Sequence, residues 1–571
     1  MRILIKHFKN YKLHVFLSIF TVIIMAFASL YQPRLLQGVM EAIVANDKNK
    51  LAKIGLQLLA LAILGLVAGI INAYYRSRVA QEVVSDLREE TYTKIQSFSF
   101  ANIEEFSAGN LVVRLINDMN QVNGLIGFLL APLLRIPIVL IGSLILALIT
   151  IPSLWWVIVA MVVLVVVISG LVFAPMGKWF GKMQGYIDRV NSIAKENMQG
   201  VRVVKSFNQQ ENQIKDFSNA SNEMNDLNKK IGYIFSIMMP IFFLIGNLGV
   251  FISIWFIGSN IVENPENLAK ISSFVSYLSQ ILFAIIMGSM FATWTSRGFI
   301  SLGRIGEVLN TKKSIIFKDV STQKIDGSVE FDHVSFKYPK SDNDTLKDIT
   351  FSVQSGEMIG IVGATGSGKT TLAQLIARLF DPTNGEIKVG GFNLRDINET
   401  TLRSTISFVL QKAILFSGTI ADNLRHGNKN ANEKDMNRAA KIAQASEFVQ
   451  TYEDTFNHIV EERSSNYSGG QKQRLSIARG VIGKPKVLIL DDSTSALDAK
   501  SEKLVQEALE KELKNTTIFI IAEKISSVIK ADRIMVLDEG KLVDIGTHKQ
   551  LLKTSLIYKK IYQTQKAKEA K

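Results

Sequence analysis

Apolar residues crowd into long runs in the first half of the chain, while the second half shows only short runs separated by polar turns. Six runs, near residues 14–31, 54–74, 125–150, 154–173, 234–261 and 271–294, can each cross a bilayer as a helix, since about 20 helical residues span its core. Arg2, Lys6, Lys9 and Lys12 precede the first run and no small-residue cleavage site follows it. It therefore reads as a retained span, not a removed signal peptide. The same charges place the N-terminus in the cytoplasm, and an even number of crossings returns the chain there. The short loop at Ile151-Pro152-Ser153 fits an outside position, as does the loop with Glu263 and Glu266 before Lys270. Arg34, Lys48, Lys50 and Lys53 fit the first outer loop less well, which leaves open a later start for the second span.

Two long polar intervals, 76–124 and 174–233, are rich in helix formers and carry no proline after Pro175. They predict that spans two to five continue as helices into the cytoplasm. Half of such an interval reaches roughly 35 Å beyond the membrane at 1.5 Å per residue, with tips expected near 100–108 and 207–214. We expect a transmembrane domain over 1–309, a polar linker over 310–327 and a soluble domain over 328–571.

Composition narrows the chemistry. The absence of cysteine removes disulfides and thiolate sites, and the six histidines form no ligand cluster. A net charge of +14 fits Lys and Arg held on cytoplasmic loops and against anionic lipid. No recognised nucleic-acid module accompanies it, so nucleic acid is not an expected partner. No Asp or Glu sits well inside a span, which argues against proton-driven transport. Arg135 lies within an apolar run and must find water or a partner. It either lines a cavity that attracts anionic or amphipathic cargo, or reaches headgroups of the inner leaflet. Met238, Met239, Phe242, Phe243, Phe251, Trp255, Phe274, Phe283, Met287, Met290, Phe291 and Trp294 occupy the last two spans. Such side chains suit varied apolar ligands, and equally they suit contact with lipid.

In the soluble half, Val329-Glu330-Phe331-Asp332-His333-Val334 alternates as a half-buried strand does. Met358-Ile359-Gly360-Ile361-Val362 is a buried strand opening into Gly363-Ala364-Thr365-Gly366-Ser367-Gly368-Lys369-Thr370, and a helix follows from Thr371. Strand, glycine loop and helix together form a phosphate-binding loop: glycines let backbone N–H groups turn inward, and the helix N-terminus favours an anion. Lys369 reaches the β- and γ-phosphates of a bound nucleotide, and the Thr370 hydroxyl is a ligand for Mg²⁺. Val487-Leu488-Ile489-Leu490-Asp491 ends an apolar strand in a carboxylate that can hold Mg²⁺ through water. Between these two motifs stands Tyr467-Ser468-Gly469-Gly470-Gln471.

That order of motifs resembles the nucleotide-binding domain of the ATP-binding cassette (ABC) transporters, and six spans fused ahead of it resemble an ABC half-exporter. The implied fold is an all-α six-helix membrane domain with long cytoplasmic extensions, followed by an α/β P-loop ATPase. By resemblance, Tyr338 stacks on adenine, and Gln411 is the Q-loop glutamine that contacts Mg²⁺ and water. Ser468, Gly469, Gly470 and Gln471 form the signature that completes a partner's ATP site. Ser495-Ala496-Leu497-Asp498 matches the D-loop, which communicates across the dimer. Glu104-Glu105-Phe106-Ser107-Ala108-Gly109, Val203-Val204-Lys205-Ser206-Phe207 and Val460-Glu461-Glu462-Arg463 match segments that couple ATP binding to the membrane helices.

Two positions depart from the family pattern. Asp492 stands where a catalytic glutamate is usual, and Glu523 where a histidine bonds the γ-phosphate. Losing one methylene withdraws the carboxylate by about an ångström, which can cost about 100-fold in rate. An ionised glutamate offers no donor to phosphate and adds repulsion. The nearest histidine along the chain is His548. The resemblance is thus to the degenerate-site subunit of heterodimeric bacterial exporters of amphipathic or hydrophobic compounds, with ATP and Mg²⁺ as cofactors and a second half-transporter as partner. A homodimer with two slow sites, and an ATP-sensing subunit that transports nothing, are the alternatives.

Overall fold

A computed structural model describes residues 1–259, 267–321, 324–339 and 341–569, with side chains 173–175, 259, 267–268, 289–294 and 567–569 outside the described set. The expected loop at Glu263 and Glu266, and the side chains of Met290, Phe291 and Trp294, therefore lie outside the described residues. The chain forms two compact units, residues 1–96 with 109–311, and residues 97–108 with 312–571.

The first unit is helical: α1 (Arg2–Phe8), α2 (Lys12–Val44), α3 (Lys48–Gln96), then, past α4 (Phe100–Phe106), α5 (Ala108–Val113), α6 (Met119–Leu130), α7 (Pro132–Thr150), α8 (Trp155–Gln199), α9 (Val201–Ser206), α10 (Gln210–Ser259) and α11 (Asn267–Asn310). Among the described residues six helical segments are long and apolar enough to cross a membrane. The 49 residues of α3 run for about 70 Å, more than twice the ~30 Å hydrocarbon core. The expected extension of the spans into long helices is therefore present. Lys48, Lys50 and Lys53 fall in the first turns of α3, and Lys50 lies 3.5 Å from Glu41 across the α2–α3 turn.

Two details differ from the sequence expectation. The third span is not one helix, because Ala131 (φ −138°, ψ −67°) separates α6 from α7. Pro132 supplies no N–H and its ring pushes the preceding residue out of the helical region. The second cytoplasmic tip comes earlier than 207–214: α9 and the turn after it form the tip, and Ile214 already lies inside α10. Val203 and Phe207 are exposed there.

Two apolar clusters hold this unit together. One joins Val79, Val83 and Leu87 of α3 to Val122 and Ile126 of α6 and Ile305 of α11. The other joins Val157, Met161, Met238, Phe242, Phe274 and Ile281. Met238, Phe242 and Phe274 are thus packing residues, whereas Met239, Phe243, Phe251, Trp255 and Phe283 are exposed.

The second unit contains β1 (Val329–Phe336), β2 (Leu346–Val353), β3 (Met358–Gly363), α12 (Lys369–Ile376), β4 (Asn384–Val389), β5 (Phe392–Asn393), α13 (Glu399–Thr405), β6 (Ile406–Val409), β7 (Gly418–Thr419), α14 (Ile420–Arg425), α15 (Glu433–Ile442), α16 (Ser446–Val449), β8 (Ile459–Val460), α17 (Gly469–Val481), β9 (Val487–Asp491), α18 (Ala499–Glu512), β10 (Thr517–Ile521), β11 (Arg533–Asp538), β12 (Lys541–Gly546), α19 (His548–Thr554) and α20 (Leu556–Glu569). The main sheet has the order β12-β11-β3-β10-β9-β6, and all its pairings except β11–β12 are parallel. A second, antiparallel sheet, β2-β1-β4-β5, lies beside it. The continuous apolar runs of β9 and β10 are buried along their whole length, as a parallel sheet covered on both faces requires.

The cytoplasmic tip helix α4 belongs to this unit. Its buried Asn102 donates from Nδ2 to the Lys312 carbonyl (3.2 Å) and accepts from the Ser314 backbone N–H (3.2 Å). Residues 570–571 lie beyond the described ones, and α20 carries helix through Glu569.

Candidate active site

Parallel strands present their C-terminal ends along one edge of a sheet, and open α/β sheets bind ligands there. In this unit β3, β10, β9 and β6 all end on that edge, and they carry the glycine loop, Glu523, Asp491 with Asp492, and Gln411 respectively. Strand pairing sets Ile361, Ile521 and Asp491 side by side. A cavity of about 330 Å³ opens there, and Thr365, Gly366, Gly368, Lys369, Thr370, Thr371, Gln411, Asp491, Asp492 and Glu523 line it. Most of the sequence-predicted residues of the phosphate loop thus share one site with both unusual carboxylates, whereas Gly363 and Ser367 do not line it.

The loop is shaped for phosphate. Gly366 and Gly368 have φ of 85° and 98°, which L side chains rarely adopt. A Cβ at Gly368 would lie 2.6 Å from Leu346 Cδ2, whereas one at Gly366 would meet nothing within 4 Å. The Ser367 hydroxyl is buried without a hydrogen-bond partner among the described residues. Lys369 Nζ donates to the carbonyls of Gly363 and Ala364, both at 2.9 Å. Burial holds its pKa below the usual lysine value, against the opposing charges of Glu523, Asp491 and Asp492.

The opposite wall is acidic. Thr370 Oγ1 donates to Asp491 Oδ1 (3.1 Å), and Gln411 Nε2 donates to Asp492 Oδ2 (3.2 Å). Burial raises the pKa of Asp491. Burial also raises that of Asp492, with the nearby Glu523 charge adding to the shift. This all-oxygen donor set of Thr370, Gln411 and Asp491 suits a hard cation such as Mg²⁺, and the orphan Ser367 hydroxyl and open Gly366 face suit nucleotide phosphates. Asp492 has a left-handed backbone (φ 44°), a conformation Asp tolerates better than most residues. Its N–H is held by the Ile521 carbonyl at 2.9 Å.

Residues 15–286 match the ABC transporter transmembrane region, and residues 346–495 match the ABC transporter family itself. The chain is 33% identical to the ABC transporter ATP-binding protein YfiB of Bacillus subtilis, over 98% of both chains. It is 32% identical to Rv1273c of Mycobacterium tuberculosis, a protein of the same description, over 97% of this chain and 96% of that one. The chain belongs to the ABC transporter family. A bacterial Atm1-family ABC exporter solved with ATP bound superposes with a TM-score of 0.78 at 22% identity, covering 97% of this chain and 98% of that chain. The fold is thus that of a half-size ABC exporter: a multi-pass bacterial membrane protein with an ATP-binding, ATP-hydrolysing domain after its six spans.

The remaining ABC motifs sit elsewhere in the soluble unit. Ser468 caps α17: its Oγ accepts from the Gln471 N–H (3.3 Å), while Gln471 Oε1 accepts from the Ser468 N–H (2.9 Å). Gly469 and Gly470 let this turn approach the 495–498 segment, where a Cβ on Gly470 would lie 3.1 Å from the Ala496 carbonyl. Gln473 Oε1 accepts from the Ala496 N–H at 2.9 Å, so signature helix and D-loop are tied together. Asp498 caps α18 through the backbone N–H groups of Lys500 and Ser501. Tyr467, where leucine is common, is buried and packs edge-on against Phe448, Tyr452 and His458. Among the segments expected to couple, Arg463 is left-handed and fully exposed next to β8. Ser468, Gly469, Gly470, Gln471 and Asp498 do not line the cavity around Lys369.

Tyr338 packs edge-on against Phe336 and Phe380. Its hydroxyl lies 3.1 Å from Thr371 Oγ1 and 3.0 Å from Gln374 Oε1, anchoring the ring beside the first turn after the loop. His548 bonds the Tyr558 hydroxyl (2.7 Å) and packs on Tyr562, so it serves the α19–α20 contact instead of the site.

Sequence reasoning missed Gln565. Its Nε2 donates to the Glu523 carbonyl (2.7 Å) and its Oε1 accepts from the Ile525 N–H (2.9 Å). The C-terminal helix therefore grips the backbone of the segment that carries Glu523. A glutamine 42 residues away along the chain gives no local signal of that contact.

Proposed function

We propose that this chain is one half of an ATP-driven exporter, paired with a different half-transporter, whose own ATP site binds nucleotide and hydrolyses it slowly. Asp492 and Glu523 line the edge of the site opposite the phosphate loop, and no histidine lines it among the described residues. That observation carries the reading. Lys369, Thr370, Ser367 and the loop N–H groups grip the phosphates, and Thr370, Gln411 and Asp491 hold Mg²⁺, which screens phosphate charge when bound. Asp492 stands too short to orient the attacking water well. Glu523 repels the γ-phosphate where the family usually donates a hydrogen bond to it. Tyr338 provides the ring beside the adenine.

The intact signature, Ser468 to Gln471, completes the partner's competent site, and hydrolysis there resets the pair. ATP binding closes the two soluble domains and switches the membrane helices between inward- and outward-facing states. The segments at α4 and α9, with the charged turn after β8, transmit that motion. Cargo is an amphipathic or hydrophobic compound taken from the cytoplasm or the inner leaflet.

The test is the intact mass of the complex that purifies with the tagged chain from its native membrane. A second chain of similar size at equal stoichiometry is expected. Recovery of the chain paired only with itself overturns the heterodimer and leaves a slow homodimer or an ATP sensor.

A further inference from the structure

The transmembrane unit has an open-sided cavity of about 720 Å³ among α2, α3, α7 and α11. Most of its wall is apolar, including Val22, Met25, Ile136, Phe283 and Met287. Two guanidinium groups, Arg76 and Arg135, also line it, and among the described residues no carboxylate does. Two of the neutral polar side chains in the wall, Asn72 and Gln280, are already engaged. Asn72 Nδ2 donates to the Ser18 carbonyl (2.8 Å). Gln280 Nε2 donates to the Ser29 carbonyl (2.9 Å), while its Oε1 accepts from Ser143 (2.8 Å).

The two arginines are not engaged in this way. Arg135 makes one long hydrogen bond, to Ser29 Oγ at 3.4 Å, and Arg76 makes no hydrogen bond or ion pair with the described residues. Three other arginines of this unit are paired with carboxylates that this cavity lacks: Arg78 with Glu82 (2.8 Å), Arg114 with Glu307 (2.9 Å) and Arg189 with Glu223 (2.9 Å). A guanidinium facing a largely apolar space is stabilised most by an anion that accepts two of its N–H groups. A cation entering the same space meets two like charges with no carboxylate to offset them.

We propose that this cavity selects amphipathic anions, a phosphate or carboxylate carried on an apolar body, and disfavours amphipathic cations. The proposal rests on reading the chain as an exporter and names the charge of its cargo. The anion is either the headgroup of an acidic lipid or that of a free amphiphile, and both present the same chemistry to Arg76 and Arg135.

The experiment titrates octyl phosphate and octyltrimethylammonium into the purified complex in phosphatidylcholine nanodiscs, with empty discs subtracted. Octyl phosphate is expected to bind at least about 10-fold more tightly than the cation, the scale of one charge-assisted hydrogen bond. The Arg76→Gln/Arg135→Gln variant is expected to lose that preference, and Arg76→Lys/Arg135→Lys to keep part of it. Repeating the titration with phosphatidylglycerol in the discs identifies the source. Competition by the lipid supports a headgroup as the anion, and its absence supports a free amphiphile. Equal affinities, or a preference for the cation, overturn the proposal from the unmutated complex alone, whatever the variants do. In that case ATP-driven accumulation of either probe in inverted vesicles still upholds the exporter reading, whereas accumulation of neither removes that reading.

Discussion

The two walls of this chain's ATP site rise from the same sheet edge and differ in what they demand of a side chain. The wall made by β3 and α12 holds phosphate mostly with backbone: glycines at φ values of 85° and 98°, N–H groups at a helix start, and one ammonium. The wall made by the ends of β9 and β10 has to place a carboxylate and a hydrogen-bond donor within a fraction of an ångström of the reacting atoms. Here it offers Asp492 and Glu523. In the proposed function, binding tolerates that change because its geometry is set by the main chain, while hydrolysis depends on side-chain length and charge.

Removing the ammonium with Lys369→Ala is expected to weaken nucleotide binding at this chain's site about 10- to 100-fold, the range for a hydrogen bond to a charged group. Photolabelling with an azido-ATP, with the two chains resolved afterwards, measures it. Undiminished labelling would mean that the phosphate wall is not the binding wall.

Gln565→Ala sharpens the other wall. Two hydrogen bonds to the Glu523–Ile525 backbone, one of them part-buried, disappear, a loss of about 1–2 kcal/mol in local stability. Faster amide exchange across residues 523–527 with unchanged nucleotide labelling is the expected pattern. Ser468→Ala separates the signature from both walls. It removes a helix cap worth about 1 kcal/mol, and the complex's turnover should fall at least about fivefold while labelling of this chain stays the same. A parallel loss of labelling would show that the signature serves its own chain.

The smallest effect is on pH dependence. Asp491 and Asp492 have raised pKa values in the fold, chiefly through burial. Each therefore contributes stability that is complete below the unfolded value near 3.8 and is lost as pH rises through the folded value. Thermal unfolding of the nucleotide-free complex should show Asp492→Asn gaining relative to the unmutated protein as pH rises through that window. A constant difference would remove the electrostatic account of this wall.

The legible parts of the molecule are those in which a local pattern fixes the geometry. A strand opening into glycines can form little else than the loop around Lys369, and the apolar runs announce the spans by length alone. Proline was less informative. Pro33, Pro137 and Pro240 sit inside continuous helices, whereas the chain breaks at Ala131 before Pro132, because neighbouring helices can compensate a missing N–H at some positions and not at others. The second tip starts with α9, ahead of the expected 207–214, because the helix formers around it carry no strong stop signal. Gln565 and the pairing of Arg76 with Arg135 around one cavity depend on contacts between distant segments, which no local pattern encodes.

In the proposed function, the catalytic wall and not the phosphate wall limits turnover at this site. This is tested most directly by the single-turnover rate of ATP hydrolysis at this chain's site, in the complex, before and after Asp492→Glu/Glu523→His. The account predicts an acceleration of about 100-fold with little change in nucleotide affinity. A rate that is already high and unmoved by the two replacements would contradict it.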